Sequence, residues 1–333
     1  MSARNKNGGS LWINPVLDKE FRLRMRTPRS FIALLAYVLV LGLLAIGFIY
    51  VAMDFGSQQT GMRFDPTTSR MLFYVLSIAQ LVLIAFMTPA LTAGVISGER
   101  EKQTLNILLT TQQSSSAIVL SKLVSSLAFM ALIVLATLPV YSIVFLYGGI
   151  SPSQLVRVFL FYLFTMLLLG ALGIMCSTLF KRTIVAVIMT YGLTMFIFLV
   201  TGVAYILLMA IAERSYYSGT VQPDYSWVGF IFGLNPVGAL ISIFEPEMSR
   251  QAFLVNTASL QNKAPIALWV EFLLVYAVVI AASLWVAIRR IRPVRRGNGN
   301  LESGNDPIGE EGGSGEVAEM KPAQNDPDRK LEK

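Results

Sequence analysis

Several stretches of this chain run for twenty or more residues without a charge, and nothing else in it constrains the fold as strongly. A helix rising 1.5 Å per residue crosses a hydrocarbon layer of about 30 Å in that length. Within lipid no water is present to satisfy peptide N–H and C=O groups, so such runs must be helical. Only 14% of the residues are charged and 54% are hydrophobic, whereas soluble domains carry about 25% charge. A mean hydropathy of +0.61 agrees. The expectation is an all-α polytopic membrane protein with six transmembrane helices.

The expected spans are 31–53, 71–96, 118–146, 158–180, 184–211 and 266–288. Charge sets their direction. Arg4, Lys6, Lys19, Arg22, Arg24, Arg26 and Arg29 precede the first span, and Arg100, Lys102 and Lys122 follow the second. Lys181 and Arg182 form the turn after the fourth, and Arg289, Arg290, Arg292, Arg295 and Arg296 follow the last. Those seventeen lie on one side, against six on the other: Arg63, Arg70, Arg157, Arg214, Arg250 and Lys263. The excess of basic residues marks the cytoplasmic side, so both termini are expected there.

Residues 225–244 are also uncharged and nearly long enough to cross. A seventh span would carry the terminal arginine cluster outward, against the charge rule. Pro236, after Asn235, breaks a helix there, and Gly229, Gly233 and Gly238 weaken one. Re-entrant outer helices between spans five and six are therefore expected, with Asn235 and Pro236 at the break. Before the first span, residues 12–26 place Trp12, Ile13, Val16, Leu17, Phe21 and Leu23 on one side. Asp18, Lys19, Arg22 and Arg26 lie opposite, with Glu20 and Arg24 at the apolar edge. This pattern predicts an N-terminal amphipathic interfacial helix; a bare orientation signal is the other reading. Residues 297–333 carry nine acids and four bases without apolar periodicity, which predicts a disordered tail. Three regions result: a cytoplasmic segment 1–30 with the amphipathic helix, a membrane domain 31–288, and the basic cluster plus acidic tail of 289–333. The net charge of +7 divides into +12 for residues 1–296 and −5 beyond. The basic part faces an anionic leaflet, so it speaks for a membrane surface and against nucleic acid.

Much chemistry is missing. The chain has no histidine and one cysteine, Cys176, which excludes disulfide frameworks and Cys/His zinc sites within it. There is no G-x-x-x-x-G-K-[ST] phosphate loop and no H-E-x-x-H pair. No catalytic, cofactor-binding or metal site is expected. The spans are nearly free of ionisable groups, which argues against a proton-driven carrier. Glu271, just inside the last span, is the one clear intramembrane acid; it reads as an interfacial residue or as a substrate or gating group. Lys122 and Arg157 sit near span starts, within reach of the interface.

The loop after span two, VISGEREKQTLNILLTT from Val95 to Thr111, carries the functional reading. Gly98 is followed by the charged turn Glu99–Lys102, then by Leu105, Leu108 and Leu109 at i, i+3, i+4 spacing on one helical face. Glu99 and Glu101 lie near the helix N-terminus, where acids are favoured. From the residues alone, a helix that docks a soluble partner and a plain interfacial helix fit equally.

The loop resembles the G-E-[RK]-E-x-G-T-L-E-x-L-L-x-T-P signature of type 2 ABC exporter permeases. Gly98, Glu99, Arg100, Glu101, Thr104, Leu105, Leu108, Leu109 and Thr110 or Thr111 match. Gln103 replaces the usual glycine, Asn106 the usual acid, and Gln112 a common proline. Lys122, Asn14-Pro15, Lys19-Glu20, the Ser177–Lys181 turn and Asn235-Pro236 also agree, so the resemblance covers residues 12–292.

The resemblance implies a six-helix permease in a bacterial or archaeal cell (inner) membrane. Such a permease pairs with a second copy or a paralogue and is bound to a separate cytoplasmic ABC ATPase subunit. The chain itself would bind no cofactor, and the ATPase would use the ATP. Gly98 to Leu109 would form the helix that meets the ATPase, and the chain would be a transport subunit, not an enzyme. Two other classes remain: a secondary carrier or channel without an ATPase, and an ABC-associated sensor or scaffold. The mix of hydroxyls, aromatics and methionines in the spans suits an amphipathic or lipid-like substrate better than a small ion.

Overall fold

A computed structural model describes residues 28–56, 66–103, 115–146, 148, 150–217, 227–253 and 266–291. All of them belong to one unit, Met1–Pro293. The expected amphipathic helix at 12–26, the tail at 297–333 and the stripe from Thr104 to Leu109 lie outside the described residues. Among the described residues every regular element is helical, and six helical stretches are long and apolar enough to cross a membrane.

Span one is α1, Pro28–Gly56. Span two is α2, Pro66–Thr92, followed by a turn and the short α3, Ser97–Glu101. Span three is broken into α4, Ser115–Leu135, and α5, Leu138–Leu146. Span four is α6, Pro152–Leu179. Span five comprises α7, Thr183–Met195, a π-helical turn at Phe196–Val200, and α8, Thr201–Tyr217. Three short helices follow: α9 (Val228–Gly233), α10 (Pro236–Phe244) and α11 (Pro246–Gln251). Span six is α12, Leu268–Ile291.

The ends and breaks follow from local chemistry. Pro152 begins α6, where its missing N–H costs nothing. Ser151 before it forms a capping box: its Oγ accepts from Gln154 N at 3.3 Å, and Gln154 Oε1 accepts from Ser151 N at 3.2 Å. Span four thus starts six residues before the apolar pattern predicts, and Arg157 lies more than a turn inside the helix. Pro139 separates α4 from α5, because proline cannot donate to the preceding turn. Within the expected broken segment, α9 and α10 are two short helices with the break at Asn235-Pro236, where the missing proline N–H favours one. Asn235 Oδ1 caps α10 by accepting from Val237 N at 2.8 Å.

Span four is the centre of the bundle, with 67% of its most apolar stretch buried, against 17% for span one and 6% for span five. It packs on spans two, three, five and six. Its approach to span two depends on Gly173: a Cβ there would lie 2.1 Å from Thr92 Oγ1 and 3.3 Å from the Ala93 nitrogen. Gly94 and Gly98 form a G-x-x-x-G pair, but a Cβ on them would meet Thr183 only at 3.1 and 3.8 Å. The closest seam of span two thus runs through Gly173, not through that motif. Aromatic residues fill the opposite half of the core. Phe73 meets Tyr141 and Phe244 edge-on, and Phe272 packs between Phe161 and Tyr276. The buried Tyr162 hydroxyl donates to the Ser77 carbonyl at 2.9 Å, satisfying a polar group where lipid offers none.

Candidate functional site

The first part of the expected coupling loop folds as α3, and every charge on α3 is engaged by another span. Glu99 Oε1 accepts from Lys122 Nζ of span three at 2.5 Å. The Lys122 side chain is 4% exposed and that of Glu99 31%, so the lysine stays inside and pairs there instead of reaching the interface. Arg100 donates to the carbonyls of Thr178 at 3.2 Å and Phe180 at 3.4 Å. These belong to the C-terminal end of span four, where a cation meets the negative end of the helix dipole. Glu101 accepts from Thr183 N at 2.7 Å and from its hydroxyl at 2.8 Å. Thr183 begins span five, and its own N-cap residue, Arg182, makes no side-chain cap. Glu101 therefore supplies a cap from another span to an otherwise open helix N-terminus.

A serine anchors the turn leading into α3. Ser177 Oγ, on span four, accepts from Ile96 N and Ser97 N at 2.9 Å each. Two backbone donors at the end of span two are thus satisfied by one hydroxyl, and both serines are buried. Together these contacts fasten α3 to spans three, four and five. The sequence marks Gly98, Glu99, Arg100 and Glu101; that Thr183 donates to Glu101 and that Ser177 accepts from Ile96 and Ser97 becomes evident only once the spans are assembled. Thr104, Leu105, Leu108 and Leu109 lie outside the described residues.

Gln103 ends the described part of the loop with φ 57°. This left-handed conformation is ordinarily taken by glycine after a helix C-terminus. It falls at the position where the exporter signature has glycine.

The broken segment between spans five and six forms a second organised region. Asn235 Nδ2 donates to the Phe198 carbonyl at 2.7 Å and to Thr201 Oγ1 at 3.0 Å. Phe198 lies within the π-helical turn of span five, so Asn235 ties the break between α9 and α10 to an irregularity in a span. Gly202 leaves the room, since a Cβ there would lie 2.9 Å from Asn235 Nδ2. Pro236 is buried at the start of α10. Glu271, in the first turn of span six, is 9% exposed. Its Oε2 has no hydrogen-bond partner, and the carboxylate lies against Gly233, 2.2 Å from where a Cβ would sit. Gly233 is thus a contact surface for an acid and not merely a weak helix former. Tyr74 of span two donates to Glu245 Oε1 at 2.7 Å, and Tyr276 of span six donates to the Leu234 carbonyl at 2.9 Å. The broken segment is held from three spans.

Six apolar helices, a charged helix docked at the end of the second and a broken pair between the fifth and sixth define a class: a multi-pass helical membrane protein. The chain belongs to the ABC-2 family of transporter proteins, whose family model, "ABC-2 family transporter protein", matches residues 14–290. A search of curated proteins returns no match.

Proposed function

We infer that this chain is the permease subunit of an ATP-driven exporter. A separate ATPase would bind beneath span two, and its closure would move the spans to expel or flip a substrate. The observation that carries this reading is the fastening of α3 to spans three, four and five. A push on a helix held only by its own span would bend a loop. A push on α3 bears on Lys122, on the end of span four and on the start of span five at once. Coupling then becomes a shift between two arrangements of the bundle, driven by different partner contacts in each.

In this reading Gly98, Glu99, Arg100, Glu101, Thr104, Leu105, Leu108 and Leu109 make up the coupling element, and both termini are cytoplasmic. The basic excess on that side supports the orientation. The α9–α10 pair then dips from the outer face, with Asn235 and Pro236 at its turn. Span five supports a second permease, a copy or a paralogue, because it buries the least of its apolar length within the chain.

Purification of the chain from its native membrane with its ATPase, followed by ATP-driven transport in sealed vesicles, tests the proposal. Transport without an ATPase would make the chain a carrier. ATPase binding with no substrate movement would make it a sensor or scaffold. Charge reversal at Glu99 and Glu101 is expected to uncouple ATP hydrolysis from transport, and normal transport by that variant would remove these residues from the coupling element.

A further inference from the structure

A cavity of about 710 Å³ lies between the start of span four, the α10–α11 region and the start of span six. Its size falls within the range of about 300–1,000 Å³ typical of small-molecule sites. It lies at the opposite end of the bundle from α3, because span four begins at the cavity and ends against Arg100.

The lining is graded along the spans. Among the described residues, Arg157 and Arg250 are its charged residues and no carboxylate lines it. Farther along span four the wall is Phe161 and Phe164, and farther along span six it is Leu273. Arg157 lies five residues into α6, about 7.5 Å along the axis, which is shallow in a membrane helix. Leu160 and Trp269 also line the cavity and are exposed at 58% and 37%, so it opens onto the apolar perimeter of the bundle. Arg250 pairs with Glu247, whereas the Arg157 guanidinium donates to a neutral group, Ser153 Oγ, at 3.4 Å. Among the described residues, one cationic charge at the mouth is therefore uncompensated by the lining. An uncharged cargo gains nothing from that charge, and a small hydrophilic anion gains nothing from the aromatic wall.

We propose that this cavity binds one anionic phospholipid from the surrounding leaflet, its phosphate at Arg157 and Arg250 and an acyl chain along Phe161, Phe164 and Leu273. Guanidinium groups suit phosphate oxygens because their N–H donors match them in pairs. The site fastens the outer helices to spans four and six, and it stands whether or not the chain couples to an ATPase.

The test uses the full chain in phosphatidylcholine nanodiscs, titrated with brominated phosphatidylglycerol. Trp269 lines the cavity, and its fluorescence is isolated as the difference between the unmodified chain and Trp269→Phe. Saturable quenching is expected at a lower mole fraction of phosphatidylglycerol than of brominated phosphatidylcholine. The preference should fall about fivefold for each arginine lost, as for basic residues near an anionic surface. Arg157→Gln with Arg250→Gln should abolish it, and Arg157→Lys with Arg250→Lys should retain most of it. Circular dichroism and gel filtration show whether each variant is folded; if the double glutamine variant is not, Arg157→Gln alone is read. Equal quenching by the two lipids, or a preference unchanged in the glutamine variants, overturns the proposal. So does displacement by free glycerol phosphate, which would mark a site for a soluble anion.

Discussion

Lys122 shows how far a residue's role depends on what meets it. In the sequence it is a basic residue near a span start; in the fold its ammonium is buried and pairs with Glu99. Lys122→Met should leave the Glu99 carboxylate without this cation. The cost should be about 3 kcal/mol, the low end for breaking a buried pair, because Glu99 retains some contact with water. The expected result is a lower midpoint for heat-induced loss of the monodisperse gel-filtration peak. The exchange Glu99→Lys with Lys122→Glu should recover most of that loss. It also separates two roles for Glu99: if the exchanged chain is stable yet uncoupled, Glu99 meets the ATPase as well as Lys122. Gln103 offers the opposite kind of change. Its left-handed backbone costs a residue with a Cβ about 1 kcal/mol relative to glycine, so Gln103→Gly should raise the same midpoint. A lowered midpoint would show that the glutamine side chain contributes more than its backbone costs.

At the level of elements, the seam between spans two and four depends on Gly173. Gly173→Ala would drive a methyl into Thr92 and toward the Ala93 backbone. A clash of this kind in a packed interior costs about 1–3 kcal/mol. The alanine at Gly42, which faces open space within the span-one helix, is the control and should not lower stability, raising it by up to about 1 kcal/mol. The broken segment between spans five and six depends on Asn235 in the same way. Asn235→Ala removes the cap of α10 and both bonds to span five. Loss of the cap alone costs about 1 kcal/mol, and the Phe198 carbonyl loses a partner as well. Faster proteolysis within 227–253 than in the unmodified chain is the expected readout. Equal rates would mean that the bonds from Tyr74 and Tyr276 hold the segment by themselves.

For the whole molecule, the bundle is built unevenly around span four, and span five contributes little of its surface to the interior. If a second permease covers that surface, single cysteines at Ile188, Phe196 or Leu199, all exposed, should cross-link between copies in native membranes. Cys176 is buried and should not interfere. A heterodimer would give cross-links only to the paralogue, and no cross-link at any of the three positions would place the partner elsewhere. Much of this organisation was legible in the sequence. The six spans follow from length and charge, since lipid admits little besides helix for such runs. The break at Asn235-Pro236 follows from the missing proline N–H. One loop's resemblance to a signature singles out Gly98–Glu101, and the structure shows its three charges engaged by other spans. Other features were hidden because they join residues far apart in the chain: Glu101 capping span five, Ser177 receiving two amides of span two, Arg157 and Arg250 meeting at one cavity, Gly233 giving way to Glu271. Local composition decides whether a segment enters the membrane and as what element, because the solvent tests each segment separately. Which charges are neutralised, which glycines are contacts and where a cavity remains depend on how the helices are set against one another, and only the tertiary structure decided that.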